Sequence, residues 1–235
     1  MKCEFSLEHY KECIELAKDK GYMILPIKLY NDPNYHQYPK NSKTILLRHD
    51  VDFSLEYAYE LANFEYDLGI NSSYYIYLHS ELYNALSPKS MGMIREMKDM
   101  GHEIGLHTEG TNYIMFEEEL LDKIFNKPTI TSYTSHLWNL RKPLIIPSLT
   151  NPQTDIKIKY ISDSGRNWRE GCMCNHIGKI NKLHILIHPE WWVSNGVTRE
   201  DAVHKLWQSN LQSLVRNMTD IKQMLVEYVR DDLKQ

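Results

Sequence analysis

Apolar and polar positions along the chain follow two rhythms, and the rhythm switches repeatedly. Ser6 reads as a helix cap and Gly21 as a stop, which predicts a helix over 7–20 with Glu8 and His9 in its first turn. The apolar run Tyr22–Leu29 predicts a strand, and the polar, turn-rich stretch 30–43 a loop. TILLRHDVD at 44–52 opens as a continuous apolar run, the mark of a strand covered on both faces. Leu55, Ala58, Leu61, Ala62 and Tyr66 then recur at helical spacing, predicting a helix from Ser54 to Leu68 closed by Gly69. The same reading gives a strand over 72–78, a helix over 90–100 closed by Gly101, a strand over 102–107, a helix over 116–125 and a strand over 129–133. Strands over 157–162 and 183–188 follow, then a long helix over 200–233 with a break near Asn217.

Strands alternating with helices predict βαβ units and a parallel sheet. The number of strands and the length of 235 residues fit one α/β domain spanning 1–235, a compact or incomplete barrel as well as a doubly wound sheet. Residues 198–235 read as a helical C-terminal extension, which would cover the barrel bottom or make a homo-oligomer. The irregular, Pro-containing segment 137–156 reads as a long active-site loop.

Composition narrows the partners. The formal net charge is −4, and Lys157, Lys159, Lys179 and Lys182 are too scattered to track a phosphate backbone, so nucleic acid is not expected. No apolar run approaches the roughly 18 residues of a spanning helix, so membrane insertion is not expected. The charged, amphipathic N-terminus lacks a secretory apolar core, which makes a cytoplasmic location the expectation. Four cysteines do not suggest a disulfide scaffold, and Cys3 and Cys13 read as small hydrophobes or surface residues. Cys172, Cys174 and His176 form C-x-C-x-H, which lacks the usual C-x2-C spacing and a second ligand pair, so a loop is favoured over a zinc site.

Parallel α/β sheets carry their chemistry at the C-terminal ends of strands, and unusual polar residues recur at those ends here. In RHDVD, Asp50 and Asp52 point to one face and Val51 to the other. Two carboxylates on one face beyond an apolar strand are costly without a proton or cation between them. A divalent ion held by one resolves that cost and leaves the other free as a base. His107 and Glu109 emerge just past another strand, where His107 is a natural ligand opposite the DxD pair. His188 ends the LHILIH strand, which Pro189 stops, and Trp191 and Trp192 beside it offer flat area for a sugar ring or serve as core. Asp163 and Arg166 lie at another strand end. Asp163 could orient His188 or Arg48, and Arg166 could hold a substrate carboxylate or sugar hydroxyls.

RHDVD (48–52), EYAYELANFEYDLGINSSYYIYL (56–78), GHEIGLHTE (101–109), SHLWN (135–139), YISDSGRNWR (160–169) and IHPEWW (187–192), in that order, resemble a branch of the polysaccharide deacetylase family, the NodB-homology group of carbohydrate esterase family four. The similarity runs over about 44–195. It implies a distorted or incomplete (β/α)7-type barrel and a metal-dependent hydrolase that removes an N-acetyl or related amide from a sugar or glycan, with Zn2+ or another divalent ion bound. It further implies Asp50 as base, Asp52 and His107 as metal ligands and His188 as general acid, with Arg48 or Arg166 standing in for the family's arginine. The family's H-[ST]-x-x-H motif here reads His107-Thr108-Glu109-Gly110-Thr111, so Thr111 stands where a second histidine ligand belongs. The third ligand is then expected from His136, with Glu109 and His79 as alternatives. Substrate contacts are expected from Arg48, Arg166 and Trp191. Two rivals share the fold: an inactive carbohydrate-binding or regulatory protein without stoichiometric metal, and an amide hydrolase for a non-sugar substrate.

Overall fold

The computed structural model describes residues 3–31, 42–108, 114–125, 130–135, 152 and 158–232. Seven strands form one sheet: β1 (Tyr22–Leu25), β2 (Lys43–Val51), β3 (Ser73–Tyr77), β4 (Glu103–Thr108), β5 (Tyr133–Ser135), β6 (Lys159–Ser162) and β7 (Lys182–Ile187). Six run in the order β5-β4-β3-β2-β7-β6, and every pairing is parallel. The nine-residue β2 is the spine: its first half pairs with β1 and its second half with β3 on one side, while β7 lines the other. The sheet curls into half a barrel, the incomplete (β/α) barrel that strand–helix alternation leads one to expect.

The helices are α1 (Leu7–Asp19), α2 (Leu55–Asp67), α3 (Pro88–Asp99), α4 (Ile114–Phe125), the short α5 (Pro189–Val193) and α6 (Arg199–Asp232). Their starts follow local chemistry. Ser6, Ser54 and Ser87 each turn a hydroxyl onto a first-turn backbone N–H, of His9, Tyr57 and Ser90. Pro88 and Pro189 sit in first turns, where a missing N–H costs nothing. The apolar faces of α1 and α5 close over β2 and β7 through Tyr10, Ile14, Trp192, Leu47 and Ile185. Those of α2 and α3 close over β3 and β4 through Leu55, Ala62, Ile94, Tyr74 and Leu106. Each of the leucines and isoleucines among them contributes about 1.5–3 kcal/mol on leaving water.

The other face of the sheet is the barrel interior, and the turn after β1 closes its N-terminal end. Pro26 lacks the N–H a continuing strand needs, so the strand expected over 22–29 stops at Leu25 and a 3-10 turn follows over Ile27–Asn31. That turn is tied down where Ile27 donates its N–H to Ser73 Oγ at 2.7 Å and Lys28 to Glu103 Oε2 at 2.7 Å. Ile27, Leu46 and Tyr75 fill the space above it.

Two further expectations need correction. The strand expected over 129–133 lies later, at Tyr133–Ser135, because it is Thr134 and Ser135 that pair with His107 and Thr108. The long C-terminal helix runs unbroken past Asn217. One asparagine in a helix interior costs only about 0.7 kcal/mol, too little to break it without a proline or a competing turn.

Candidate functional site

Five strands deliver polar side chains to the same rim. Asp50 lies near the end of β2 and Asp52 just past it, His107 near the end of β4, Thr134 in β5, Asp163 just past β6 and His188 just past β7. Because β2 is flanked by β3 and β7, and β4 lies one strand further, groups far apart in sequence converge here.

Asp52 is the meeting point. Its Oδ1 lies 3.1 Å from His107 Nε2 and its Oδ2 3.8 Å from His188 Nε2. The other nitrogen of His107, Nδ1, sits 2.7 Å from Thr134 Oγ1, and Thr134 turns its hydroxyl toward Asp50 Oδ1 at 3.4 Å. With the hydroxyl proton directed at Asp50, Thr134 accepts from His107 Nδ1–H. The Nε2 lone pair of His107 then faces the Asp52 carboxylate. Two acceptors that close require a proton or a cation between them.

Asp50 is buried and held from the side. Arg48, fully buried, donates Nε–H to Oδ1 at 3.1 Å and an Nη2 hydrogen to Oδ2 at 2.8 Å, a two-pronged ion pair. Burial alone would raise the Asp50 carboxyl, but the Arg48 guanidinium above all, with the His188 imidazolium behind it, outweighs that and holds the group below the usual carboxylate range. Arg48 also lies over the Tyr75 ring at 5.7 Å.

His188 caps α5 and is fixed by Asp163. Its Nδ1 donates to Asp163 Oδ1 at 2.6 Å, its backbone N–H meets the same carboxylate, and Trp192 Nε1 donates to Asp163 Oδ2 at 2.8 Å. Burial works against the imidazolium, yet the Asp163 charge and hydrogen bond dominate and push the His188 imidazole up to about 10. Nε2 is left facing the rim. Glu190, two residues on, is buried with Oε1 unpartnered, and burial pushes its carboxyl well above the ordinary value.

Other expected residues lie elsewhere or outside the described set. Arg166 donates to the carbonyls of Thr198 and Gly196 and lies over the Phe5 ring, so it ties the turn after β6 to the start of α6 rather than reaching the rim. Trp191 is 4% exposed and packs against Phe53, so it presents no free face to a sugar ring. Apolar side chains beside a strand end are as readily core as rim. Arg48 is buried behind Asp50, where it positions a carboxylate instead of meeting a substrate. His79 lies 2.6 Å from Glu117 Oε1. His136, Glu109 and Thr111, and the loop 137–156 apart from residue 152, lie outside the described residues. Thr134 is the participant missed from the sequence, while Glu190, which reads from the sequence as part of a polar and aromatic rim with Trp191 and Trp192, is buried.

Neither a family model nor a curated protein matches the sequence. Among solved structures the chain is similar to the Streptococcus pyogenes deacetylase in complex with acetate, with 13% identity, a TM-score of 0.46, and coverage of 85% of this chain and 86% of that one. It is also similar to a family 4 carbohydrate esterase from Bacillus anthracis, with 11% identity, a TM-score of 0.41, and coverage of 89% and 84%. Among the described residues no helix is long and apolar enough to cross a membrane.

Proposed function

We propose that this chain is a metal-dependent hydrolase of the polysaccharide-deacetylase type, which removes an N-acetyl group from a sugar or glycan. The observation that carries the reading is the convergence of Asp52, His107 and His188 at one rim, with Arg48-paired Asp50 beside them. The donor set fits a divalent ion. The His107 lone pair and the Asp52 carboxylate face each other, and Thr134 holds the far side of the imidazole, as metal-bound histidines require. Asp52 and His107 would hold the ion, with His136 as third ligand and Zn2+ the leading candidate. When bound, it would lower the pKa of a water and polarise the substrate carbonyl.

The protein's own groups supply the rest. Asp50 stays ionised beside Arg48 and accepts the proton of the attacking water. His188, kept protonated by Asp163, delivers a proton from Nε2 to the departing amine. The backbone N–H after Asp52 would serve as a donor to the developing oxyanion. Arg48 keeps Asp50 aimed at the rim.

Acetate release from N-acetylglucosamine oligomers, measured together with bound metal by plasma emission, tests these roles. Asp50→Asn is expected to abolish turnover, about 10²-fold or more, with metal content unchanged. Asp52→Ala and His107→Ala should each lose one equivalent of metal relative to wild type. Equal metal content in wild type and both of these variants would sink the ligand assignment. A folded, metal-loaded wild type that releases no acetate from any such oligomer would sink the substrate class.

A further inference from the structure

Behind the strand-end rim, on the far side of Trp192, the chain gathers all four of its cysteines around one histidine. Cys3 Sγ lies 3.4 Å from Cys174 Sγ, and His9 Nε2 lies 3.3 Å from Cys172 Sγ. The ligand atoms of Cys3, His9, Cys172 and Cys174 all lie within 4.8 Å of one another. A tetrahedral ion with bonds of about 2.3 Å to sulfur and about 2.0–2.1 Å to nitrogen sets its ligands roughly 3.5–3.8 Å apart, which falls between the closest approaches in this cluster, 3.3 and 3.4 Å, and its 4.8 Å limit.

We propose that Cys3, His9, Cys172 and Cys174 form a structural zinc site that clamps the N-terminal segment to the turn before β7. The site is separate from the one at Asp52 and does not rest on it.

Three observations support it. The donors are three sulfurs and one imidazole with no carboxylate among them, a soft and closed set that suits zinc in a structural role. His9 is oriented from behind: its Nδ1 lies 3.1 Å from Glu12 Oε2, so Nε2 is the nitrogen turned to the sulfurs. A carboxylate behind a ligating histidine is the usual outer support of such sites. The ligands also come from separate parts of the chain. Cys3 precedes α1, His9 lies on it, and Cys172 and Cys174 flank Met173 at the start of the 3-10 turn Met173–Asn175. Cys172 and Cys174 lack a C-x2-C partner in sequence because their partners lie 163 and 171 residues away. Clips that close long loops restrict the unfolded chain most. Cys13, whose Sγ lies 3.6 Å from His9 Nε2, stands outside the ligand set as a neighbour.

The clamp has a mechanical consequence. The His9 ring stacks on Trp192 at 6.2 Å, and Trp192 donates to the carboxylate that fixes His188. An ion there would stiffen the wall on which the general-acid histidine is mounted.

Cobalt(II) substitution tests the site, because only a sulfur-ligated cobalt shows an intense thiolate charge-transfer band in the near ultraviolet. The full-length chain, purified reduced and exchanged with cobalt, should show that band at one equivalent per chain. The double variant Asp52→Ala, His107→Ala should keep it. Cys172→Ser and Cys174→Ser should lose it, and Cys13→Ser should retain it. Should the serine variants fail to fold, titration of wild-type protein with a mercurial reagent should release one equivalent of zinc to a chelating dye. The proposal is overturned if reduced wild type shows no charge-transfer band, or if the mercurial releases no zinc. A Cys3–Cys174 disulfide found by mass in protein purified without reductant would overturn it too, as would loss of the band in Cys13→Ser, which would replace the ligand set.

Discussion

Asp163 decides what His188 can do. A buried imidazole would ordinarily lose its proton, but this one has its Nδ1 hydrogen bond and its charge partner in the same carboxylate, and its pKa is pushed up to about 10. Because the folded value lies above the ordinary 6.5, the pairing's contribution to stability is complete below 6.5 and is lost as pH rises through about 10. For the reaction, the acid form persists across neutral pH. Asp163→Asn removes the charge and keeps the shape, so the alkaline limb of kcat/KM should move down toward pH 6.5, with little change in the acid limb set by Asp50. A pH profile of acetate release checks this, and an alkaline limb that stays in place would remove Asp163 from its role. The polar groups at this scale were legible where they broke an apolar strand: Asp50, Asp52, His107 and His188 each follow or interrupt a run of Ile, Leu and Val. Thr134 was not, because a hydroxyl in a Thr-Ser-rich stretch carries no signal until β5 is paired with β4. Nor was the close approach at Gly105, where an added Cβ would sit 2.5 Å from the Tyr75 ring.

At the scale of elements, β2 and α2 are joined by a polar knot inside an apolar layer. Glu65 falls on the buried face of α2 together with Leu55, Ala58, Leu61 and Ala62. Its carboxylate accepts from Tyr10, from Tyr74 at 2.8 Å, from Ser72 at 2.6 Å and from His49 Nε2 at 2.9 Å. Burial would raise its pKa, yet His49 and these donors hold the group down at about 2. Helical periodicity marked the face but not this residue, since a lone glutamate at an inward position reads as a break in the stripe. The folded pKa lies below the ordinary 4.5, so the stabilisation is complete above 4.5 and is lost as pH falls through about 2. Glu65→Gln leaves four donors around a neutral amide and should cost about 3–5 kcal/mol at neutral pH. Urea unfolding across the acid range checks it: the gap between wild type and variant should narrow as pH falls below 4.5. A gap that is small at pH 7, or constant with pH, would show the knot to be energetically idle. The strands themselves were legible because both faces are covered and the sequence runs continuously apolar. Ends set by a missing N–H, as at Pro26, shifted by several residues.

For the whole molecule, the question is what α6 is for. Its first turns dock against the domain through Ala202 and Leu206, which are buried. Beyond them Trp207, Leu211, Leu214, Met218 and Ile221 recur at steps of four and three residues, and all are 54–67% exposed. That is the seam of a coiled coil, self-complementary and nearly free of charge. A helix of 34 residues that leaves its apolar stripe in water gains little from its own hydrogen bonds, which seldom hold an isolated helix. A heptad seam is self-complementary, so the expectation of a homo-oligomer through the C-terminal extension becomes the prediction that a second copy of this chain covers the stripe. Sedimentation over a concentration series should therefore show a mass rising from 27.8 kDa toward twice that value. Leu211→Glu combined with Leu214→Glu should hold the protein at one chain without loss of acetate release, because the rim groups among the described residues come from the ends of β2, β4, β5, β6 and β7 and none from α6. A wild type that sediments as a single chain at every concentration would leave the stripe without this purpose. A variant that dissociates and also loses activity would mean that the second copy completes the site.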